Sequence, residues 1–300
     1  MTKVDRYIAI DWGTTNRRAY VIAENGEVLD TFRDERGILS LMPDDYPAEL
    51  ATIRSRLGDL PIIAAGMVGS TRGWREAPYV AAPAGLSELA AAVVPIPQEN
   101  IAIVPGVSVQ YPGADVMRGE EVQVLGAGIS GLAPNTALFC QPGTHNKWVE
   151  LTDGRIANFR TAMTGELFSL LRGHGILSGL LNDEVQDGPA FRAGIARGSG
   201  ARDLTFALFE IRSAVLLGKL EPEDAASFAS GLLIGNDVGA LSDLPGRTVY
   251  LLASGPLADL YAIAIRAADG LPVALDSHAS FAAGIHAIWK RLATPISTPT

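Results

Sequence analysis

DWGTTNRR, residues 11–18, lies between two short apolar runs, Tyr7-Ile8-Ala9-Ile10 and Ala19-Tyr20-Val21-Ile22. Its counterpart is QPGTHNKW, residues 141–148, again after an apolar run, Thr136-Ala137-Leu138-Phe139-Cys140. Gly-Thr-any-Asn-basic therefore occurs twice, as Gly13, Thr14, Asn16, Arg17 and as Gly143, Thr144, Asn146, Lys147. The residues downstream of each copy match as well. A hairpin signal comes next, Asn25-Gly26 and Asp153-Gly154, and each copy ends in Phe-Arg, at 32–33 and 159–160. An internal repeat of half the chain decides the fold class: two similar halves, each opening strand–turn–strand–turn–strand.

The rest of each half reads as α/β. In the first, strands are expected over Tyr7–Asp11, Arg18–Ala23 and Val28–Phe32, with Asn25-Gly26 as a two-residue turn. A helix over Ala48–Leu57 stops at Gly58, and Pro61–Ala65 and Ile101–Val104 are short buried strands. GMVGSTRGW, 66–74, is too rich in glycine for regular structure, and a helix should open near Gly119. In the second half, three strands (Thr136–Gln141, Lys147–Leu151, Arg155–Thr161) precede helices over 164–173, 204–217 and 223–241. Thr248–Ala253 is a strand, Leu257–Ala268 a helix, Pro272–Asp276 a strand, and 277–292 a terminal helix before a loose tail, TPISTPT.

Composition narrows the partners. A chain of 300 residues suits two compact domains, and 48% apolar residues supply their cores. Net charge of −9 argues against a nucleic-acid partner, which needs a basic footprint. One cysteine, Cys140, excludes an internal disulfide and fits a reducing compartment. No apolar run approaches a membrane span, so the expectation is a soluble cytoplasmic protein without a membrane partner. The four histidines and one cysteine show no zinc-ligand spacing.

A tip of Gly-Thr-Thr-Asn brings backbone N–H groups and hydroxyls to one point, and such a concave donor set binds phosphate oxygens. Two such tips would grip one polyphosphate. Asp11, ending the strand before the first tip, is placed to hold Mg²⁺ directly or through water. Either tip alone also reads as nothing more than a good turn; the recurrence in the same strand context favours the phosphate reading.

The chain resembles the actin/hexokinase/heat-shock chaperone superfamily and, more narrowly, the 2-dehydro-3-deoxygalactonokinase family of bacterial sugar-acid kinases. The residues that carry the resemblance are IDWGTTNRRAY (10–20), AGMVGSTRGWREAPYVAAPAG (65–85), MRGEEVQVLGA (117–127), PGTHNKWV (142–149) and FRTAMTGELFSLL (159–171). It implies two duplicated actin-like (ribonuclease H-like) domains around an ATP cleft. An N-terminal domain, 1–130, would carry the sugar-acid site. A C-terminal domain, 131–300, would carry the nucleotide site, with the terminal helix 277–293 returning to the first domain. It implies ATP and Mg²⁺, with Asp11, Gly13, Thr14, Thr15, Asn16, Gly143 and Thr144 at the phosphates. His145 and Lys147 join them by their place at the turn. LLASGPLADLY, 251–261, resembles an adenosine motif, with Ser254-Gly255 under the nucleotide, and it reads equally as an ordinary strand-to-helix turn. The implied reaction is phosphoryl transfer to the 6-hydroxyl of 2-dehydro-3-deoxy-D-galactonate.

Many superfamily kinases carry an Asp beside the second phosphate motif, where this chain has Gln141 and Pro142. The base is therefore expected elsewhere. MRGEEVQ offers Glu120 and Glu121. By spacing from Gly119, Glu121 matches the catalytic glutamate of the similar exopolyphosphatase segment, while both residues also read as first-turn helix acids. Adjacent helical residues point about 100° apart, so only one can face a given site. A sugar acid wants an Arg fork and hydrogen-bonding side chains, which Ser70, Arg72, Trp74 and Arg118 supply; Arg160 and Arg172 are further arginines. The alternatives are another actin-like sugar kinase, a polyphosphate phosphatase, or a nucleotide-dependent switch without catalysis. Oligomeric state, a homo-oligomer included, stays open.

Overall fold

The computed structural model describes residues 5–200 and 203–292. In chain order the elements are β1 (Arg6–Trp12), β2 (Arg17–Ala23), β3 (Val28–Asp34), α1 (Tyr46–Leu57), β4 (Ile62–Gly66), β5 (Tyr79–Ala81), α2 (Leu86–Ala91), β6 (Val94–Ile96), β7 (Ile101–Ile103), β8 (Gly106–Val109), β9 (Asp115–Met117) and α3 (Glu120–Ile129). They continue with β10 (Ala137–Gln141), β11 (Asn146–Thr152), β12 (Arg155–Ala162), α4 (Thr164–Gly173), α5 (Pro189–Ser199), α6 (Leu204–Leu216), α7 (Ala225–Gly239), β13 (Thr248–Leu251), α8 (Pro256–Ala267), β14 (Leu271–Ala274) and α9 (Ser277–Trp289). The tail from 294 lies outside the described residues. Among those described, no helix is long and apolar enough to cross a membrane.

The repeat is realised as two sheets of one topology. The first runs β3-β2-β1-β4-β7-β6 and the second β12-β11-β10-β13-β14. Each thus places its first hairpin strand in the middle, flanked by its own meander on one side and by parallel strands on the other (β1–β4–β7; β10–β13–β14). Only the extra edge strand β6, antiparallel to β7, breaks the likeness. The α/β class with a duplicated sheet, expected from the two Gly-Thr turns, is what the chain forms.

The chain divides into two compact units. One holds the described residues of Met1–Ala137, Val149–Phe159 and Asp276–Thr300; the other holds those of Leu138–Trp148 and Arg160–Leu275. In the first unit β1 is buried on both faces. Ile8, Ile10 and Trp12 pack with Leu50 and Ile53 of α1. On the alternate positions, Tyr7 stacks on Trp289 of α9 at 4.2 Å. α9 also lies directly on α3: a Cβ built on Gly126 would meet the Ser280 carbonyl oxygen at 1.8 Å, so the two backbones touch there.

In the second unit, Leu138, Cys140, Val249 and Leu251 of the sheet meet Phe191 and Ile195 of α5 and Ile234 of α7. The contact between α5 and α7 is made by glycines. A Cβ on Gly194, Gly198, Gly231 or Gly235 would sit 2.1–2.5 Å from a carbonyl oxygen of the facing helix. Helix α5 was not expected from the sequence: its buried positions are Ala190, Phe191, Gly194, Ile195 and Gly198, so two large apolar residues among glycine and alanine are all that mark its inward face.

The two hairpin turns differ. Asp153 and Gly154 both have positive φ, 49° and 73°, as a two-residue I′ turn requires. At Asn25-Gly26 only Gly26 does (φ 90°), and Ala23 N–H pairs with the Glu27 carbonyl, leaving three residues in the loop. The expected two-residue turn is instead a tight turn followed by a glycine bulge, which matches the longer spacing in that copy.

Candidate functional site

The first tip is fixed from below. The carbonyl oxygens of Gly13, Thr14 and Thr15 accept the N–H groups of Ile38, Leu39 and Gly37, each at 3.1 Å. Gly37 is obligatory in this contact, because a Cβ there would lie 2.3 Å from the Thr15 backbone. Gly13 N–H closes the turn on the Asn16 carbonyl at 2.9 Å. With the carbonyls held inward, exposed Thr14 and Thr15 present their N–H groups and hydroxyls outward, the donor arrangement that an anion needs. Arg17 takes no part in it. The side chain is 1% exposed, forks onto Asp34 at 2.9 and 2.9 Å and pairs with Glu49 at 2.7 Å.

Asp11 ends β1 directly opposite Arg18 of β2, on the face away from Trp12. Burial pushes its carboxyl up to about 6, Arg18 opposes that shift, and Glu120 adds to it. Glu120 arrives there because backbone meets backbone. Gly119 (φ 108°) would place a Cβ 3.1 Å from Gly66 Cα, so the start of α3 lies against the end of β4, the strand beside β1.

The two glutamates diverge as their helical spacing requires. Glu121 has no exposed surface, and both its oxygens accept Gly119 N–H, at 2.9 and 2.7 Å. Burial and then the Glu120 charge push its carboxyl up to about 8. Glu120 is partly exposed and accepts Arg118 N–H at 2.9 Å.

Segment 66–74 folds on itself. Ser70 Oγ donates to the Met67 carbonyl at 2.7 Å, Trp74 stacks on Tyr46 at 5.3 Å, and Gly73 leaves no room for a Cβ. Of the sequence candidates here, Arg72 is exposed. Arg118 is buried over the Tyr79 ring at 4.3 Å and donates Nη2 to the Ala77 carbonyl, while its Nε and Nη1 have no hydrogen-bond partner among the described residues.

The second tip rests on α4. Glu166 N–H donates to the Thr144 carbonyl at 2.8 Å, and Gly165 would place a Cβ 2.4 Å from the Gly143 carbonyl oxygen. His145, exposed, pairs through Nε2 with Glu166 at 2.7 Å. Lys147 is buried along the strand, with Nζ 2.6 Å from Thr161 Oγ1. Beneath the turn a buried carboxylate, Asp237 of α7, accepts Asn146 Nδ2, Trp148 Nε1, Thr164 Oγ1 and Tyr261 Oη within 2.9 Å. That hub fixes β11, α4 and α8 around one point.

Beside Gly143 opens a cavity of about 440 Å³. Phe168, Val185, Leu233, Ile234, Leu257 and Leu260 give it apolar walls, while Arg172, Asn182 and Glu184 give it polar ones. Gly255 (φ 80°) turns the chain from β13 into α8 at its rim, directly before the lining Pro256. An apolar slot next to a turn of backbone donors has the shape and chemistry of a nucleotide site. The sequence pointed to Gly143 and Ser254-Gly255 and missed Phe168 and Leu257. Their apolar spacing on α4 and α8 was visible, but nothing in it distinguishes a cavity wall from core. Asp11 offers hard oxygen donors, which fit Mg²⁺ with waters and phosphate as the remaining donors. Among the described residues no group of three or more His, Cys, Asp or Glu could hold a metal by itself.

The profile of the family described as 2-keto-3-deoxy-galactonokinase matches residues 11–288. Among known proteins, the 2-dehydro-3-deoxygalactonokinase of Escherichia coli (strain K12) is 38% identical over 288 residues, 94% of this chain and 97% of the relative. A Rhizobium meliloti (strain 1021) relative, provisionally given the same activity, is 38% identical over 313 residues, 96% and 99% of the two chains. Among solved structures, the crystal structure of a Sinorhizobium meliloti protein assigned to this kinase superposes with a TM-score of 0.87 at 36% identity, covering 98% of each chain.

Proposed function

The chain belongs to the 2-keto-3-deoxy-galactonokinase family, and from that premise we propose that it transfers the γ-phosphoryl group of ATP to the 6-hydroxyl of 2-dehydro-3-deoxy-D-galactonate. The observation that carries this reading is the match over residues 11–288, which takes in both Gly-Thr turns and the α3 carboxylates.

The second unit is the nucleotide side. The adenosine takes the cavity beside Gly143, between Phe168 and Leu257, with Ser254-Gly255 at its edge. Backbone donors of Gly143 and Thr144, like those of Gly13–Asn16 in the first unit, go to phosphate oxygens. Exposed His145 stands at that turn as a further phosphate contact, while Lys147 supports it from within the strand. The first unit is the sugar-acid side, with Arg72 and Arg118 for the carboxylate and Ser70 and Trp74 shaping the segment between them. Asp11 is the residue to hold Mg²⁺, which when bound neutralises phosphate charge.

Catalysis by this chain is mainly positioning. Donors at the tips orient the phosphates, and a carboxylate takes the hydroxyl proton. Glu120 is the reachable member of the α3 pair. Glu121 holds Gly119, and through it the approach of α3 to β4. Measuring ADP release across a panel of aldonates and 2-keto-3-deoxy acids tests the reading. Turnover should be strong with 2-dehydro-3-deoxy-D-galactonate and weak with neutral sugars. ATP hydrolysis indifferent to any sugar acid would favour a phosphatase or a switch and end the proposal.

A further inference from the structure

We propose that the outer face of α6 is the contact surface of a symmetric dimer of this chain. Helix α6 is apolar on two sides. Inward, Ala207 and Ile211 are buried in a cluster with Leu177, Leu181 and Leu232. Outward, Phe206 is 72% exposed, Phe209 56% and Leu216 70%, and Leu217, just past the helix, 70%. Phe206, Phe209, Ser213 and Leu216 follow one another at steps of three, four and three residues. That is the spacing of a helix seam made to meet another helix. Ile176, 56% exposed, extends the patch beside it, its carbonyl accepting Arg212 Nη1.

Size and charge together name the occupant. At these exposures Phe206, Phe209, Leu216, Leu217 and Ile176 present on the order of 500 Å² of apolar surface, toward the upper end of the largest patch a monomer carries and more than half of the ~800 Å² per partner of a stable interface. Phe206, Phe209, Ser213 and Leu216 bring no charge to the seam. The charges beside it are engaged within the chain, Glu210 with Arg197 at 2.8 Å and Arg212 with the Ile176 carbonyl. Between two copies of a chain of net charge −9, a seam without acids is where the general repulsion is weakest.

The strip is also complementary to itself. In an antiparallel pairing centred on position 211, Phe209 faces the small Ser213 of the other copy, and Phe206 faces Leu216. Large thus meets small at the middle, and apolar meets apolar at both ends. Isologous contacts of this kind close at two copies.

Sedimentation velocity of the full chain at micromolar concentration tests the proposal. The wild type should sediment as a dimer. Phe209→Glu, at an exposed position, and Ser213→Lys, at a half-buried one, should each raise the dimer dissociation constant by about 30-fold or more, as loss of an anchor in an interface centre does, with melting temperature nearly unchanged. Mixed together, the two variants should associate again, because the carboxylate introduced at position 209 of one copy then faces the ammonium introduced at position 213 of the other, while the second pair stays native. Phe206→Ser serves as a milder second variant for dimer loss. A wild-type monomer overturns the proposal, whether or not the strip takes another protein or a lipid surface. A dimer that survives all three substitutions overturns it as well.

Discussion

Replacing Glu120 and Glu121 by glutamine, one at a time, separates a base from a structural acid on one turn of helix. Glu121 has no exposed surface and is pushed up to about 8, whereas an unfolded glutamate titrates near 4.5. The folded form binds its proton more tightly, so the stability it contributes is complete below pH 4.5 and is lost as pH rises through 8. Within that window the loss approaches about 1.4 kcal/mol per pH unit, so raising pH from 6 to 8 removes roughly 2 kcal/mol from this one group. Glutamine resembles the protonated acid and does not titrate. Glu121→Gln should therefore be the less stable protein near pH 6, where its buried amide gains a donor without a partner, and should draw level with or pass the wild type near pH 9. Melting temperatures across that range give the readout, and parallel curves would refute the burial argument. In the coupled ADP-release assay, Glu120→Gln should lose about 10²–10⁴ in kcat with both KM values little changed, the usual worth of a general base. Glu121→Gln, correctly folded, should lose less than tenfold. If the buried variant shows the deep kcat loss while Glu120→Gln turns over normally, the assignment of the base is wrong.

Asp11→Asn should reduce turnover to background at saturating Mg²⁺ while circular dichroism stays unchanged, because one charge leaves the metal position; a near-wild-type rate would remove Asp11 from the site. Arg72→Ala should raise KM for the sugar acid by about 30-fold, corresponding to ~2 kcal/mol for a charge-assisted contact, and leave KM for ATP alone; equal changes in both would show a structural role. Phe168→Ala, which opens the apolar wall of the cavity beside Gly143, should raise KM for ATP about tenfold with the sugar-acid KM unchanged, and the opposite split would move the nucleotide elsewhere. Gly231→Ala forces a methyl to within 2.1 Å of the Phe191 carbonyl oxygen, so α5 must move off α7; a loss of about 1–3 kcal/mol in chemical denaturation is expected, and an unchanged midpoint would show that the two helices are not locked there.

The sheets were legible because their signals are local. An apolar run, a Gly-Thr turn and a hairpin signal each occupy a few residues, and their repetition in one order marks a duplicated α/β fold; the strand order of the two sheets is visible only in the structure. What escaped lies where packing depends on a residue with no side chain. Helix α5 meets α7 through Gly194 and Gly198 against Gly231 and Gly235, so the face that binds it is invisible to a search for apolar periodicity. The same glycines spaced four apart on each helix were the available signal. Short strands such as β5 and β9, three residues each, carry too little pattern to be read at all.

At the site, residue type was legible and direction was not. Arg17 and Lys147 occupy the same basic place in the two motifs, and the turn puts Lys147 among the phosphate candidates. Strand geometry sends each into the protein instead, Arg17 to Asp34 and Glu49, Lys147 to Thr161 on the neighbouring strand. Arg18, one residue on, shares a sheet face with Asp11 because directly paired residues of antiparallel strands project the same way. Alternation alone therefore decides which arginine of the Arg-Arg pair can act on the carboxylate, once the pairing register is known. The glutamates obey the same logic on a helix. With about 100° between neighbours, only one could be open, and the bond from Gly119 N–H to both oxygens of Glu121 selects Glu120. No sequence spacing contains that bond. It follows from Gly119 lying against Gly66, a contact between residues 53 positions apart that only the folded sheet brings together.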